Sequence, residues 1–236
     1  MVTLVLLPGM DGTGLLFSEF IDALGPEVES IVVSYPTDQP QSYSDLETIA
    51  RSFLPVNKPF VLLGESFSGP IAISIAASCP QGLVGLILCC SFARNPLPWL
   101  GGFRSVLQLL PIKLVPIRLL GTLLLGRFST AKLQCALRHA LALVSLEVLR
   151  TRTLAVFSVD VSAQLSQIRI PVLYLRALED RLVPRASYNA IARLLHGIRL
   201  IELEGPHFLL QALPFAMAGI VRGFMRELAS YCKATV

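Results

Sequence analysis

Ser66 stands just after the hydrophobic run Val61-Leu62-Leu63-Gly64-Glu65 and ahead of a second apolar stretch that begins Gly69-Pro70-Ile71-Ala72. The run reads as a strand and the later stretch as a helix, which places the serine at the apex of a tight strand–turn–helix connection. A residue at such an apex is held in a strained backbone conformation and needs very small neighbours. Gly64 and Ser68/Gly69 supply them. A serine hydroxyl becomes a useful nucleophile only when a base takes its proton, and the base must itself be oriented by a third group.

Three histidines compete for the role of base. His139 lies within a basic, helix-periodic segment and His196 ends a helix before Gly197, so both read as surface or capping residues. His207 follows the last predicted strand, in Glu204-Gly205-Pro206-His207-Phe208. That loop lies at the C-terminal end of a strand, where open parallel sheets bind ligands. His207 is therefore the expected base. The orienting acid is expected from another loop that follows a strand, between serine and histidine. Asp180 fits, in Leu178-Glu179-Asp180-Arg181-Leu182-Val183-Pro184. Glu179 reads better as a solvated loop charge, and Asp160 precedes its strand instead of following it.

Attack on a carbonyl creates an oxyanion, which preorganised backbone N–H groups stabilise. Phe67, directly after the serine and at a helix start, is one expected donor. A second is expected from the loop Pro8-Gly9-Met10-Asp11-Gly12-Thr13-Gly14, whose glycines allow close approach of the main chain. A phosphate-binding reading of this loop competes, but it has no Lys-Ser/Thr ending and its glycine spacing differs from the dinucleotide fingerprint.

Positioning these groups requires a sheet. Short apolar runs at Val2–Leu7, Ser30–Ser34, Phe60–Leu63, Val84–Cys89, Val172–Arg176 and Arg199–Leu203 read as strands. Between or after them, Leu15–Leu24, Ser44–Leu54, Pro70–Ser78, Tyr188–Leu195 and Phe215–Tyr231 read as helices, with Ser44 and Glu47 as a capping box for the second. The alternation predicts βαβ units with right-handed crossovers. The rhythm breaks over Phe92–Val159, a Leu-rich segment interrupted by Pro96, Pro98, Pro111 and Pro116, with helix starts at Ser129 and Ser145. The expected organisation is a core formed by 1–91 and 160–236 with a helical cap at 92–159.

Charge divides the chain in the same way. The cap carries nine Arg/Lys (Arg94, Arg104, Lys113, Arg118, Arg127, Lys132, Arg138, Arg150, Arg152) against Glu147. It is thus net +8, leaving −4 for the rest of a chain whose formal charge is +4. Either the basic side chains snorkel from apolar helices, or the cap is attracted to an anionic lipid surface or an acidic acyl carrier. At 236 residues and 53% hydrophobic the chain can bury one large core. Its five scattered cysteines (Cys79, Cys89, Cys90, Cys135, Cys232) show no metal-ligand spacing, and Cys89 and Cys90 read as buried small hydrophobes. A reduced compartment is the expectation. Met1 leads straight into Val2–Leu7 with no basic leader, and the most membrane-like window, Val106–Leu125, contains Lys113, Arg118, Pro111 and Pro116. A cytoplasmic location is expected, with no nucleic-acid partner, cofactor or metal called for.

Together these motifs resemble the α/β-hydrolase superfamily, in particular its small, capped, lipase-like serine esterases. The resemblance covers nearly the whole chain, through Leu7–Gly14, Gly64–Gly69, Leu178–Pro184 and Gly205-Pro206-His207-Phe208-Leu209, in the family's order. It implies Ser66 as nucleophile, Asp180 as acid, His207 as base, Met10 and Phe67 as amide donors, and the Phe92–Val159 insertion as a lid. Three features depart from the family pattern. Pro8 stands where many relatives have histidine, and Ser68 replaces a glycine. The chain also begins at the strand feeding the oxyanion loop, so about six strands in the order 2-1-3-4-5-6 are expected, without the family's usual first two. A serine nucleophile argues against the dehalogenase and epoxide-hydrolase branches, which use aspartate. The expected activity is hydrolysis of carboxylic esters with short to medium, hydrophobic acyl chains. A thioesterase or acyltransferase on the same triad is the alternative, and a non-catalytic ligand-binding relative is a third.

Overall fold

The computed structural model describes residues 2–98 and 117–234. Six strands, β1 (Thr3–Leu7), β2 (Ser30–Val32), β3 (Phe60–Glu65), β4 (Leu83–Cys89), β5 (Val172–Ala177) and β6 (Arg199–Leu203), form one sheet in the order β2-β1-β3-β4-β5-β6. Every adjacent pair is parallel. Both the strand count and the order agree with the sequence expectation.

The inner strands read as continuous apolar runs because both of their faces are covered. On one face, Val5, Leu7, Leu62, Leu86, Leu88 and Tyr174 pack with the helices α2 (Tyr43–Ser52), α3 (Gly69–Ala77), α7 (Ser162–Leu165) and α8 (Arg185–Leu194). On the other, Leu4, Leu6, Val61, Leu63, Ile87 and Leu173 pack with α1 (Ser18–Leu24) and α9 (Pro214–Ala234). Residues alternate between the two clusters along the strands, as the period of two requires, except between Leu83 and Leu86, where β4 shifts register against β3. Cys89 and Cys90 are buried within the second cluster, as read from the sequence.

Helix α2 starts earlier than expected. Its N-cap is Ser42, whose side chain accepts from the Asp45 amide while the Asp45 carboxylate accepts from the Ser42 N–H. Two Ser-x-x-acid patterns overlap here, and Glu47, the acid of the second, is instead paired with Arg51 one turn on. The Ser42–Asp45 box therefore sets the boundary.

Between β4 and β5 the described chain is helical: α4 (Ile117–Leu125), α5 (Ala131–Ala142) and α6 (Leu146–Ser158). Ser145 caps α6 as expected, through the Val148 amide. Thr130, not Ser129, caps α5, by accepting from Leu133 N–H. The Ser129 hydroxyl is engaged instead by the Gln134 amide. Most of the Val106–Leu125 window, with Pro111 and Pro116, lies outside the described residues. Among the described residues no helix is long and apolar enough to cross a membrane.

These helices have a small core of their own, Leu124, Leu125 and Leu137, which packs against Leu182 and Phe208 of the sheet-edge loops. Polar contacts dock the same unit. Arg127 pairs with Glu179 and Glu204, and Lys132 with Glu19. The Phe208 N–H donates to Leu124 O, and Ser145 N–H to Thr37 O. Part of the insertion's positive charge thus faces acids of the core.

Candidate active site

Ser66 follows β3 directly and has φ +46°, a left-handed conformation that a non-glycine residue adopts only under constraint. The constraint comes from packing on either side. A Cβ on Gly64 would lie 2.7 Å from Ala72 Cβ and 2.9 Å from Ser68 O, and one on Gly69 would overlap the Ser91 side chain. The close approach that requires glycine therefore falls at positions 64 and 69. Position 68 tolerates a serine and gives it work: the buried Ser68 hydroxyl donates to Pro8 O at 2.5 Å and lies 3.0 Å from Tyr35 Oη. Ser91 Oγ donates to Ser66 O at 2.6 Å, which fixes the turn from below.

The structure brings three sequence-predicted side chains into one hydrogen-bonded chain. Ser66 Oγ lies 2.8 Å from His207 Nε2, and His207 Nδ1 lies 2.8 Å from Asp180 Oδ2. The His207 and Asp180 side chains are 3% and 1% exposed, whereas Ser66 is partly open to solvent. Asp180 lies in the loop after β5, where its Oδ1 accepts from the amides of Leu182 and Val183 at 2.8 Å each. Burial raises the Asp180 pKa, but the His207 charge and hydrogen bond, with these two amides, outweigh it and hold the carboxyl below its ordinary range. Burial lowers the His207 pKa, but Asp180's charge and hydrogen bond, with the charge of Glu65, leave it above the ordinary histidine value.

The other candidates lie elsewhere. His139 and His196 are exposed, on α5 and after α8. Glu179 pairs with Arg127, and Asp160 accepts from Ser162 N–H. Met10 sits in the loop after β1, and Phe67 lies within the helical turn Ser66–Ser68. Phe67 is buried against Tyr43, with ring centroids 4.8 Å apart, and its carbonyl accepts from Tyr43 Oη. Among the described residues no group of His, Cys, Asp and Glu converges as a metal site.

Two features were missed in the sequence reading. Glu65, at the end of β3, is a buried carboxyl whose Oε1 accepts from Gln211 Nε2 at 2.9 Å. Burial pushes it up to about 7, with Gln211 acting in the opposite sense. A charged residue closing a strand covered on both faces was the available signal. The other is Arg152, the largest fully buried side chain. It falls on the inward stripe of α6 one turn after buried Val148, so a cation stands where periodicity calls for an apolar residue.

The profile of the Alpha/beta hydrolase family matches residues 4–218. Among curated proteins the chain is similar to phytyl ester synthase 1, chloroplastic, of Arabidopsis thaliana, at 32% identity over 121 residues. That match covers 48% of this chain and 17% of the plant protein's length. Among solved structures it is similar to a carboxylesterase-study structure from Nitrososphaera gargenis, with TM-score 0.81, 17% identity and coverage of 97% of this chain and 91% of that one. A thermophilic esterase from Thermogutta terrifontis gives TM-score 0.81 and 17% identity, over 97% of this chain and 90% of that one. At such identities the structures speak to the fold, whereas the profile spans almost the whole sequence: the chain belongs to the alpha/beta hydrolase family.

Proposed function

We propose that this protein is a serine hydrolase that cleaves carboxylic esters through an acyl-serine intermediate. The observation that carries the reading is the unbroken hydrogen-bonded chain from Ser66 through His207 to Asp180, centred on a left-handed serine. His207 Nε2 takes the Ser66 proton as Oγ attacks the ester carbonyl, and the amides of Met10 and Phe67 hold the oxyanion. Collapse expels the alcohol, which receives the proton from His207. Water, deprotonated by the same nitrogen, then attacks the acyl-serine and releases the acid. Asp180 keeps Nδ1 protonated throughout and stabilises the imidazolium.

Residues 92–159 act as the cap over this edge. Leu124, Leu125 and Leu137 bring an apolar cluster up to the loop of His207 and Phe208, and a hydrophobic acyl group of short to medium length is part of the proposal. A cytoplasmic location is part of the proposal. A second reading, acyl transfer to an alcohol in place of water, is favoured by the similarity to a protein named as a phytyl ester synthase. The basic cap, with Arg138 and Arg150 exposed, suits peripheral contact with anionic lipid or an acidic acyl carrier.

The test is turnover of a p-nitrophenyl ester chain-length series beside an acyl-CoA, with and without phytol. Ester hydrolysis that peaks at short to medium chains supports the first reading, and phytyl ester formation outrunning hydrolysis supports the second. Activity undiminished in S66A overturns both.

A further inference from the structure

We infer that Arg152, from the cap helix α6, is a positioning residue for the oxyanion-binding loop, tying the Met10 amide to the cap. The inference rests on the proposed role of Met10 as an oxyanion donor.

Arg152 is 2% exposed, and its three hydrogen-bond partners are main-chain carbonyls of the core. Nη1 donates to Met10 O at 2.9 Å and to Asp11 O at 2.8 Å, and Nη2 donates to Pro36 O at 2.8 Å. One planar fork thus spans the loop after β1 and the segment after β2, a geometry a lysine ammonium cannot reproduce. The guanidinium also lies 5.7 Å from the centroid of the Tyr35 ring. One residue further along α6, Thr153 Oγ1 reaches Met10 Sδ at 3.6 Å.

The Met10 N–H lies between two anchored carbonyls. Upstream, Pro8 O accepts from Ser68, a residue of the elbow itself. Downstream, Met10 O and Asp11 O are held by Arg152. Gly9 O accepts from Gly12 N–H, and Gly12 O accepts from Tyr35 N–H. The carbonyls of residues 8 to 12 are therefore all committed to protein donors. Among the described residues, no protein acceptor takes the Met10 N–H. Fixing the peptide planes on both sides of this amide sets its direction before substrate arrives, which is the condition for electrostatic preorganisation. The downstream anchor belongs to the insertion, so the seating of the cap and the geometry of the amide are one structural event. A burial of this kind, a cation surrounded by carbonyls, is costly to break because three acceptors lose their donors at once.

The test uses purified full-length R152Q and R152K beside wild type. The readouts are kcat and KM on a p-nitrophenyl ester, affinity for a trifluoromethyl ketone that forms a hemiketal oxyanion on Ser66, and the unfolding midpoint. For R152Q, kcat is expected to fall by about 10- to 100-fold while KM stays within about threefold. Ketone affinity should weaken by the same factor as kcat/KM. R152K, with the charge but not the fork, should fall between R152Q and wild type. If R152Q does not fold, R152K decides by the same two readouts. Unchanged kcat and unchanged ketone affinity per folded molecule, with only the midpoint lowered, overturn the inference and leave Arg152 a purely structural dock. Wild type that neither turns over esters nor binds the ketone overturns the functional reading itself, and this inference with it.

Discussion

The sheet edge and the inserted helices hold their polar groups in different ways. At the sheet edge, Ser66 and Asp180 project from turns that follow the buried strands β3 and β5, His207 from the loop after the partly exposed edge strand β6, and the hydrogen bonds that join the three run within the core. In the insertion, helix α5 buries only Leu137 and Ala140, and the unit is tied down by Arg152, by the Phe208 N–H and by ion pairs from Arg127 and Lys132. Local stability follows buried apolar contact, so the proposed triad sits in the part of the molecule expected to open least. The insertion touches three of the four segments that carry the proposed site residues: Arg152 holds the loop with Met10, Arg127 pairs with Glu179 beside Asp180, and Leu124 O accepts from the residue after His207. A cover bonded in this way acts on the geometry of the site as well as on access to it.

The core side of the comparison predicts the largest effect. D180N keeps the shape of the acid but leaves His207 Nδ1 facing the wrong kind of partner, so kcat should fall by about 10³- to 10⁴-fold with the fold intact. A pre-steady-state trace of p-nitrophenol release, with circular dichroism as the fold control, measures it. A loss below tenfold would place the orienting group elsewhere.

Next is S68A. It strands the Pro8 carbonyl and the Tyr35 hydroxyl, both buried, and should lower stability by about 1–3 kcal/mol in urea denaturation. A neutral result would mean that a water replaces the hydroxyl and that position 68 is merely small.

Glu65 gives a smaller, pH-dependent effect. His207 must be neutral to accept a proton, so kcat/KM should fall as pH drops through a value above the ordinary histidine range. The Glu65 charge is one of the causes raising that value, and E65Q should therefore shift the acid limb to lower pH. The two groups are coupled, so the limb belongs to the pair. The stability sign follows from the Glu65 pKa being raised from 4.5 to about 7. The folded state binds the Glu65 proton more tightly than the unfolded chain, so this residue's contribution to stability declines as pH rises from 4.5 through about 7. E65Q should gain on wild type over that window, as read from urea midpoints at its two ends.

The smallest effect belongs to the outer contacts of the insertion. Arg127 is well exposed, so R127A should change the melting temperature less than S68A does, and high salt should erase the difference. An R127A effect larger than that of S68A would show that surface charge, and not Arg152 with the Leu124–Phe208 contact, seats the cap.

Much of this architecture was legible in the sequence. Strands covered on both faces leave apolar runs, as before Ser66 and Asp180, and the partly exposed edge strand before His207 still shows alternating apolar residues, so strand order and site candidates could be read together. The boundary of α2 was not, because Ser42-x-x-Asp45 and Ser44-x-x-Glu47 carry the same signature and only the pairing of Glu47 with Arg51 separates them. The role of Ser68 was hidden because its partners, Pro8 and Tyr35, are distant in the chain. Arg152 was hidden more deeply: its carbonyl partners, on Met10, Asp11 and Pro36, lie 142, 141 and 116 residues away, and a backbone acceptor leaves no trace in residue type. Counted by composition it was one more charge on a basic cap, whereas in the fold it is buried.

The central claim is that Ser66 carries the acyl group. Wild type mixed with a p-nitrophenyl ester, acid-quenched within one turnover and digested, should yield the peptide containing Ser66 heavier by one acyl group, with no such species from S66A. Full turnover with no acylated peptide, at a rate S66A retains, would contradict it.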